Sequence, residues 1–308
     1  MKYIDLHTHS NASDGTLTPS EVVSRAAARG LSAIALTDHD TIDGIPEAAS
    51  EATKHAIRLI PGTELSCYYQ VPYTEHEQAL IASGEAVKQR EVEIHILGLF
   101  VDYQDAAFLQ ALNDLKQARY QRNLKMISLF EQDGIPMSME ALTHGNPNSV
   151  VTRAHFARVL IEEGIVKNKE QAFKHYLGPG CKYYLPKPEV TPEYVLSLIR
   201  QAGGIAILAH PLIYKLGYAQ VETLIQSLIP LGLSGIEAYH SSNNTYESDR
   251  LRSMTLKYNL VVSGGSDFHG ANKPDIELGI GRGGLRITEH ILNQIEARRN
   301  ALQLSIHQ

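Results

Sequence analysis

The chain has 308 residues, 43% of them hydrophobic and 20% charged, with a formal net charge of −6. That length supplies about two domain units of ~150 residues or one large α/β barrel, and the acidic balance disfavours a polycation that coats nucleic acid. Two Cys exclude a disulfide scaffold or a Cys-rich zinc module, the N-terminus MKYIDLHTHS has no apolar signal core, and no run of ~18 apolar residues occurs, so a cytoplasmic protein is expected.

Tyr3 to Leu6 reads as a strand that ends at His7. Thr18-Pro19-Ser20-Glu21 opens a helix, with Thr18 as N-cap, Pro19 in the first turn and Glu21 completing a capping box; Gly30 ends it. A second strand, Ser32 to Leu36, ends at Thr37-Asp38-His39-Asp40, and a helix follows from Pro46 to His55. Ile57 to Ile60 is a third strand, ending near Glu64. This alternation predicts right-handed βαβ units and a mainly parallel sheet. Residues 70–92 are polar and read as an exposed loop; Glu93 to Phe100 is a strand carrying His95.

From about 102 to 178 the apolar spacing is helical, as in Phe108, Leu112, Leu115 and then Leu124, Ile127, Phe130. After Pro186 and Pro188 the α/β pattern resumes with a helix over 192–202 and strands at Ile205 to Ala209, Gly235 to Tyr239 and Leu260 to Ser263. Three segments result: 1–101 as the first part of a barrel, 102–185 as a helical insertion, and 186–308 as the second part.

The composition also holds 14 His and no Trp. The polar clusters recur at strand ends. His7 and His9 follow the first strand, with Asp14 shortly after. His39 follows the second, Glu64 the third, His210 a later one, and Asp267 and His269 the last. In α/β barrels that end carries the active site. His7, His9, Asp14, His39, Glu64, His95, His210, Asp267 and His269 are therefore expected at one mouth. Residues two apart on an extended chain share a face, which suits His7 with His9 and Asp267 with His269; Asp5 shares that face and is expected to orient His7. Asp38 and Asp40 are expected to point elsewhere. Nine donors exceed the four of one zinc, and a His and carboxylate set suits two or three ions of Mn²⁺, Fe²⁺ or Zn²⁺. Such ions activate water and stabilise both oxygens in phosphoryl transfer.

Asp5-Leu6-His7-Thr8-His9-Ser10, Ser13-Asp14-Gly15, Thr37-Asp38-His39-Asp40, Gly62-Thr63-Glu64, Ala209-His210-Pro211 and Gly265-Ser266-Asp267-Phe268-His269 resemble the ordered motifs of the polymerase and histidinol phosphatase (PHP) family. The resemblance implies a distorted (βα)7 barrel, a trinuclear metal centre and phosphoester hydrolysis. It implies that His7, His9, Glu64 and Asp267 share one ion, that Glu64 bridges to a second held by His95 and His210, and that Asp14, His39 and His269 serve a third. Catalytic roles are expected of Asp14, His39, His210 and His269.

Arg119-Tyr120-Gln121-Arg122, the run Thr152 to Arg158 and the run Phe173 to Gly178 resemble the branch of 3′,5′-nucleoside bisphosphate phosphatases and 5′-to-3′ exoribonucleases on short RNA. This implies substrate-phosphate binding by Arg119, Arg122 and Arg153, whose guanidinium forks match phosphate; spacing alone would leave them on a solvated helix face. His155 is a candidate neighbour or proton donor, and His240 either lines the pocket or is a surface residue. The segment from Cys67 to Glu93 is longer than the family pattern and is expected to form an edge hairpin or lid. Cys67 is expected in the core and Cys181 in the insertion. His55, His76, His144, His175, His290 and His307 read as ordinary.

The leading expectation is a phosphoesterase cleaving the 3′-phosphate of a nucleoside 3′,5′-bisphosphate. An exoribonuclease on short 5′-phosphorylated RNA is the nearest alternative. A histidinol-phosphate phosphatase, a metal-dependent amidohydrolase and a non-catalytic module rank lower. With no Trp and six Phe, a long base-stacking platform is lacking, so short substrates are expected, with no membrane and no long double-stranded DNA as partners.

Overall fold

The computed structural model describes residues 2–186 and 190–306; Pro188 and His307 lie outside them. Seven strands form one sheet in chain order: β1 (Ile4–Asp5), β2 (Ala33–Leu36), β3 (Arg58–Gln70), β4 (Glu91–Leu99), β5 (Ile205–Leu208), β6 (Gly235–His240) and β7 (Val261–Gly265). The sheet closes between its ends. Asp267 N donates to His7 O at 2.9 Å, Leu6 N to Gly264 O at 3.3 Å, and Thr8 bridges Phe268 in parallel. Closure brings β1 so near β7 that a Cβ on Gly265 would sit 2.2 Å from His7 Cβ. Only glycine permits that approach. The result is the expected distorted seven-stranded α/β barrel.

Two departures from the sequence reading matter for function. β4 runs antiparallel to both β3 and β5, while the other pairs are parallel. The third strand does not stop near Glu64; it runs on through Leu65-Ser66-Cys67-Tyr68-Tyr69-Gln70, a stretch rich in residues that suit a pleated, half-buried surface. β3 and β4 thus make a long hairpin past the mouth, and the expected loop at 70–92 holds a capped helix, α3 (Glu75–Ala82). Within the hairpin Glu64 faces Leu97, Ser66 faces His95 and Tyr68 faces Glu93. The period of two puts Glu64, Ser66, His95 and Glu93 on one face.

Helices cover the other face: α1 (Pro19–Ala28), α2 (Ile45–His55), α8 (Pro192–Gln201), α9 (Tyr218–Leu228) and α10 (Thr245–Lys257), while α11 (Glu289–Ile306) packs Leu292 and Ile295 against the inner one. The capping box that opens α1 forms as expected, with Thr18 Oγ1 accepting from Glu21 N at 3.2 Å and Glu21 Oε2 from Thr18 N at 2.7 Å. Ile60, Leu97, Leu99, Ile205, Ile207 and Ala209 pack in an inner cluster beneath Glu64 and His95. Leu65, Cys67, Ile94, Ile96, Ala206 and Leu208 alternate with them and join the cluster under the helices.

Between β4 and α8 lie α4 (Ala106–Gln132), α5 (Met139–Thr143), α6 (Arg153–Glu162), α7 (Lys169–Ala172) and a π-helical turn, Phe173–Leu177. A separate apolar cluster, including Met126, Phe130, Phe156, Leu160 and Tyr183, lies within residues 126–183. The buried stripe of α4 runs Phe108, Leu112, Arg119, Arg122, Asn123, Met126, Ile127, Phe130; Leu124 is exposed instead. The polar centre of that stripe is where α4 crosses the barrel mouth. Among the described residues no helix is long and apolar enough to cross a membrane.

Candidate active site

All nine expected donors meet at the mouth. His7 Nε2 and His9 Nε2 lie 3.1 Å apart. Glu64 Oε2 is 3.5 Å from the first and 3.3 Å from the second, and Asp267 Oδ1 is 3.7 and 3.6 Å from them. On the other oxygen of the same carboxylate, His95 Nδ1 and His210 Nε2 each stand 2.8 Å from Glu64 Oε1. Asp14 Oδ1 is 3.2 Å from His269 Nε2, and its Oδ2 is 3.7 Å from His39 Nε2. Four sets thus place their donor atoms close enough to hold an ion: His7, His9 and Asp267; His7, Glu64 and His210; His39, Glu64 and His95; and His9, Asp14, His39 and His269.

The donor chemistry fits metal ions. His39 Nδ1 is 3.1 Å from Glu64 Oε2 yet makes no hydrogen bond, and His210 Nδ1 also lacks a partner. His7 Nε2 and His9 Nε2, 3.1 Å apart, both lie within 3.7 Å of Glu64 Oε2 and Asp267 Oδ1, the convergence expected of ligands around a common point. Buried polar groups ordinarily have partners. Burial alone would raise the Glu64 carboxyl, but His39, His95 and His7 hold it well below the usual carboxylate range. Asp14 and Asp267 behave alike: burial opposes ionisation, and His39 and His269 at Asp14, and first Lys273 at Asp267, outweigh it. Burial pushes His39 well down and lowers His210 and His269, which keeps their rings neutral, the form that binds metal.

His210 and Asp267 sit at φ 26° and 58°. Such backbone conformations are costly outside glycine and gather at functional sites.

Asp5 does not orient the His7 ring. Its carboxylate accepts from the backbone N–H of His7, Ser266 and Gly279 and so ties the β1 and β7 ends together. The ring is instead held by Glu237, whose Oε1 is 2.9 Å from His7 Nδ1. Asp38 and Asp40 do point elsewhere: Asp38 accepts from Ser10 and Ser13, and Asp40 pairs with Arg119.

The donors open into a cavity of about 350 Å³ that is also lined by Arg119, Arg153, Lys169, Lys273, Thr152 and Phe173. Arg119 and Arg153 are thus at the mouth, not on a solvated face. Arg119 is pulled down to about 9 by burial and by its neighbour Arg122. Arg153 pairs with Glu93 and lies over the rings of Tyr184 and Phe173, at 5.4 and 5.9 Å. Arg122 is buried behind them, and among the described residues its Nε and Nη2 have no hydrogen-bond partner. Arg119, Arg122 and Arg153 are neighbours, each close enough to lower another's basicity, and guanidinium groups so placed suit an anion.

His155 and His240 are both buried and neither lines this cavity. His155 Nδ1 accepts from Thr152 N at 3.0 Å, while Thr152 Oγ1 donates to Asp14 Oδ2 at 2.9 Å. His240 is no surface residue; its Nε2 lies 3.3 Å from Asp267 Oδ2. His76 is exposed.

Sequence reasoning missed Glu237, Thr152, Lys169 and Lys273, the last of which pairs with Asp267 Oδ2 at 2.5 Å. A carboxylate inside the apolar run Gly235-Ile236-Glu237-Ala238 was a usable signal; the two lysines carried none.

The PHP domain model matches residues 5–163. The 3′,5′-nucleoside bisphosphate phosphatase of Chromobacterium violaceum is 33% identical over 299 residues, covering 97% of this chain and 98% of that protein. A 5′-3′ exoribonuclease of Haemophilus influenzae is 36% identical over 87% of this chain and 90% of its own. A solved Bifidobacterium adolescentis protein described as a metal-dependent phosphoesterase superimposes with a TM-score of 0.77, with 26% identity and 96% of each chain covered. With the barrel, the ordered donors and these matches in agreement, the chain belongs to the PHP domain family.

Proposed function

We propose that this protein is a metal-dependent phosphoesterase that removes the 3′-phosphate of nucleoside 3′,5′-bisphosphates, giving the nucleoside 5′-monophosphate and phosphate. The observation that carries the reading is the Glu64 carboxylate. One oxygen lies 2.8 Å from His95 and His210, and the other within 3.5 Å of His7, His9 and His39. His7, His9, Glu64 and Asp267 would hold one ion, Glu64, His95 and His210 a second, and Asp14, His39 and His269 a third. Mn²⁺, Fe²⁺ or Zn²⁺ suits these donors, and ions bound there supply Lewis-acid charge stabilisation and a lowered water pKa.

The chain's own groups do the rest. Arg119 and Arg153 grip a phosphate from the insertion side, and Arg122 adds charge behind them. A 3′,5′-bisphosphate offers one phosphate to cleave and another to grip, which orients the scissile ester. Thr152 holds Asp14 through its hydroxyl, and the β3–β4 hairpin walls one side of the mouth. We assign residues 102–185 as a helical insertion domain over the barrel (1–101 and 186–308), a division supported by the separate apolar cluster at 126–183.

The same wall of arginines favours a second substrate, short 5′-phosphorylated RNA, and the similarity to an exoribonuclease over most of the chain supports it. The test is phosphate release from adenosine 3′,5′-bisphosphate with Mn²⁺ and with chelator, beside nucleotide release from a 5′-phosphorylated oligoribonucleotide. Mn²⁺-dependent phosphate release supports the reading. Full activity after metal stripping refutes it.

A further inference from the structure

We infer that β6 is the support of the candidate metal centre: Glu237 is a positioning residue for His7 and His210, and His240 for Asp267. The inference rests on the reading of these residues as metal ligands.

Glu237 is fully buried in the middle of β6. Oε1 is 2.9 Å from His7 Nδ1, and Oε2 accepts from the backbone N–H of His210 at 2.8 Å. The first contact fixes the His7 ring and its tautomer. With the proton on Nδ1, the lone pair of Nε2 faces His9, Glu64 and Asp267. The second contact pins the residue whose backbone sits at φ 26°, a conformation that needs outside support. One carboxylate therefore orients both His7 and His210, which share a donor set with Glu64 and are assigned to two different ions.

His240 does the parallel work for Asp267. Its Nδ1 accepts from Ser242 N at 3.1 Å, which leaves the proton on Nε2, 3.3 Å from Asp267 Oδ2. Asp267 Oδ1 is then free to face His7, His9 and His269.

A regular strand cannot do both jobs, because residues three apart point to opposite faces. β6 is irregular where this matters. Glu237 pairs with Ser263, but Tyr239 pairs with Gly264 and His240 with Gly265, so two residues of β6 pass one of β7 between Glu237 and Tyr239. Such bulges re-aim side chains next to active sites. Here the bulge turns both Glu237 and His240 toward the donors. Hydrogen-bonded groups behind metal ligands raise ligand basicity and fix ring orientation.

The experiment is Mn²⁺ titration calorimetry on the metal-stripped full chain, for wild type, Glu237→Gln and His240→Gln, with the unfolding temperature of each metal-free protein. Glu237→Gln keeps the shape but offers one acceptor where two donors need one. It should bind Mn²⁺ about 10- to 100-fold more weakly at nearly unchanged unfolding temperature, and turnover should recover at excess Mn²⁺ with KM for the nucleotide unchanged. His240→Gln should weaken binding in the same direction and decides the matter if Glu237→Gln does not fold. Wild-type Mn²⁺ affinity in a folded variant overturns the positioning roles alone. A wild-type chain that binds no Mn²⁺ overturns the metal reading and this inference together.

Discussion

Arg153→Ala tests the substrate reading most sharply. Arg153 opens α6, lines the cavity, pairs with Glu93 and lies against Tyr184 and Phe173. Its side chain is 20% exposed and that of Glu93 14%, so the existing pair is partly screened. A charge-assisted contact to a substrate phosphate contributes about 1.5–3 kcal/mol. Loosening a partly exposed ion pair offsets about 0.2–1 kcal/mol of that. The net loss in the variant is therefore about 0.5–2.8 kcal/mol, or roughly 2- to 100-fold in kcat/KM at about 1.4 kcal/mol per decade. The loss should fall on KM, because the gripped phosphate does not react. The assay compares adenosine 3′,5′-bisphosphate with adenosine 3′-monophosphate, which lacks the second group, and the monophosphate should change less than ~3-fold. Equal losses on both substrates would refute the reasoning, since Arg153 would then serve the scissile phosphate or the fold. An unchanged KM for the bisphosphate would remove it from the substrate altogether.

Asp14→Ala and His210→Ala each delete a donor, and phosphate release should fall to background in both while circular dichroism stays native. Gly265→Ala introduces a Cβ 2.2 Å from that of His7; overpacking of this kind costs about 1–3 kcal/mol or more, so the melting temperature should drop and Mn²⁺ binding weaken, whereas Gly30→Ala, with nothing near its Cβ but a φ of 74°, should lower stability without touching Mn²⁺ binding. Phe130 is fully buried and stacks on Tyr183 at 4.0 Å. Phe130→Ala should cost about 3–5 kcal/mol, and proteolysis should then start within 102–185 while the barrel survives; cleavage spread evenly along the chain would count against a separate insertion domain.

The fold was legible where local chemistry and periodicity agree. The capping box at Thr18 and Glu21 and the run Ala33–Leu36 formed close to where the sequence put them. β3 was read only over Ile57 to Ile60, before Pro61-Gly62, yet in the structure Pro61 is paired with Leu36 and Gly62 faces the backbone of Gly98. The direction of β4 was legible only in the length of the Cys67 to Glu93 segment, which pointed to an edge hairpin or lid. A βαβ pattern implies parallel strands, and the β3–β4 register establishes the hairpin. The nine donors were legible because strand ends are marked by composition, whereas Glu237, Thr152, Lys169 and Lys273 act through contacts distant in sequence. Arg119 and Arg122 were readable as exposed positions by spacing alone; the barrel mouth beneath α4 is what makes that buried face polar.

The insertion and the centre are also mechanically joined, and this bears on how a substrate could be gripped and cleaved in one site. Val150 N donates to Ala12 O at 2.9 Å, Asn146 Nδ2 to Asn11 O at 2.7 Å, Ser149 Oγ to Ser13 O at 2.5 Å and Thr152 Oγ1 to Asp14 Oδ2 at 2.9 Å. Residues 146–152 are therefore zipped along the turn 11–14 that carries a donor of the centre. Arg153 is the next residue after Thr152. Arg153 and Asp14 are therefore held in register through Thr152, so a phosphate gripped by Arg153 would be positioned relative to the cluster that Asp14 belongs to.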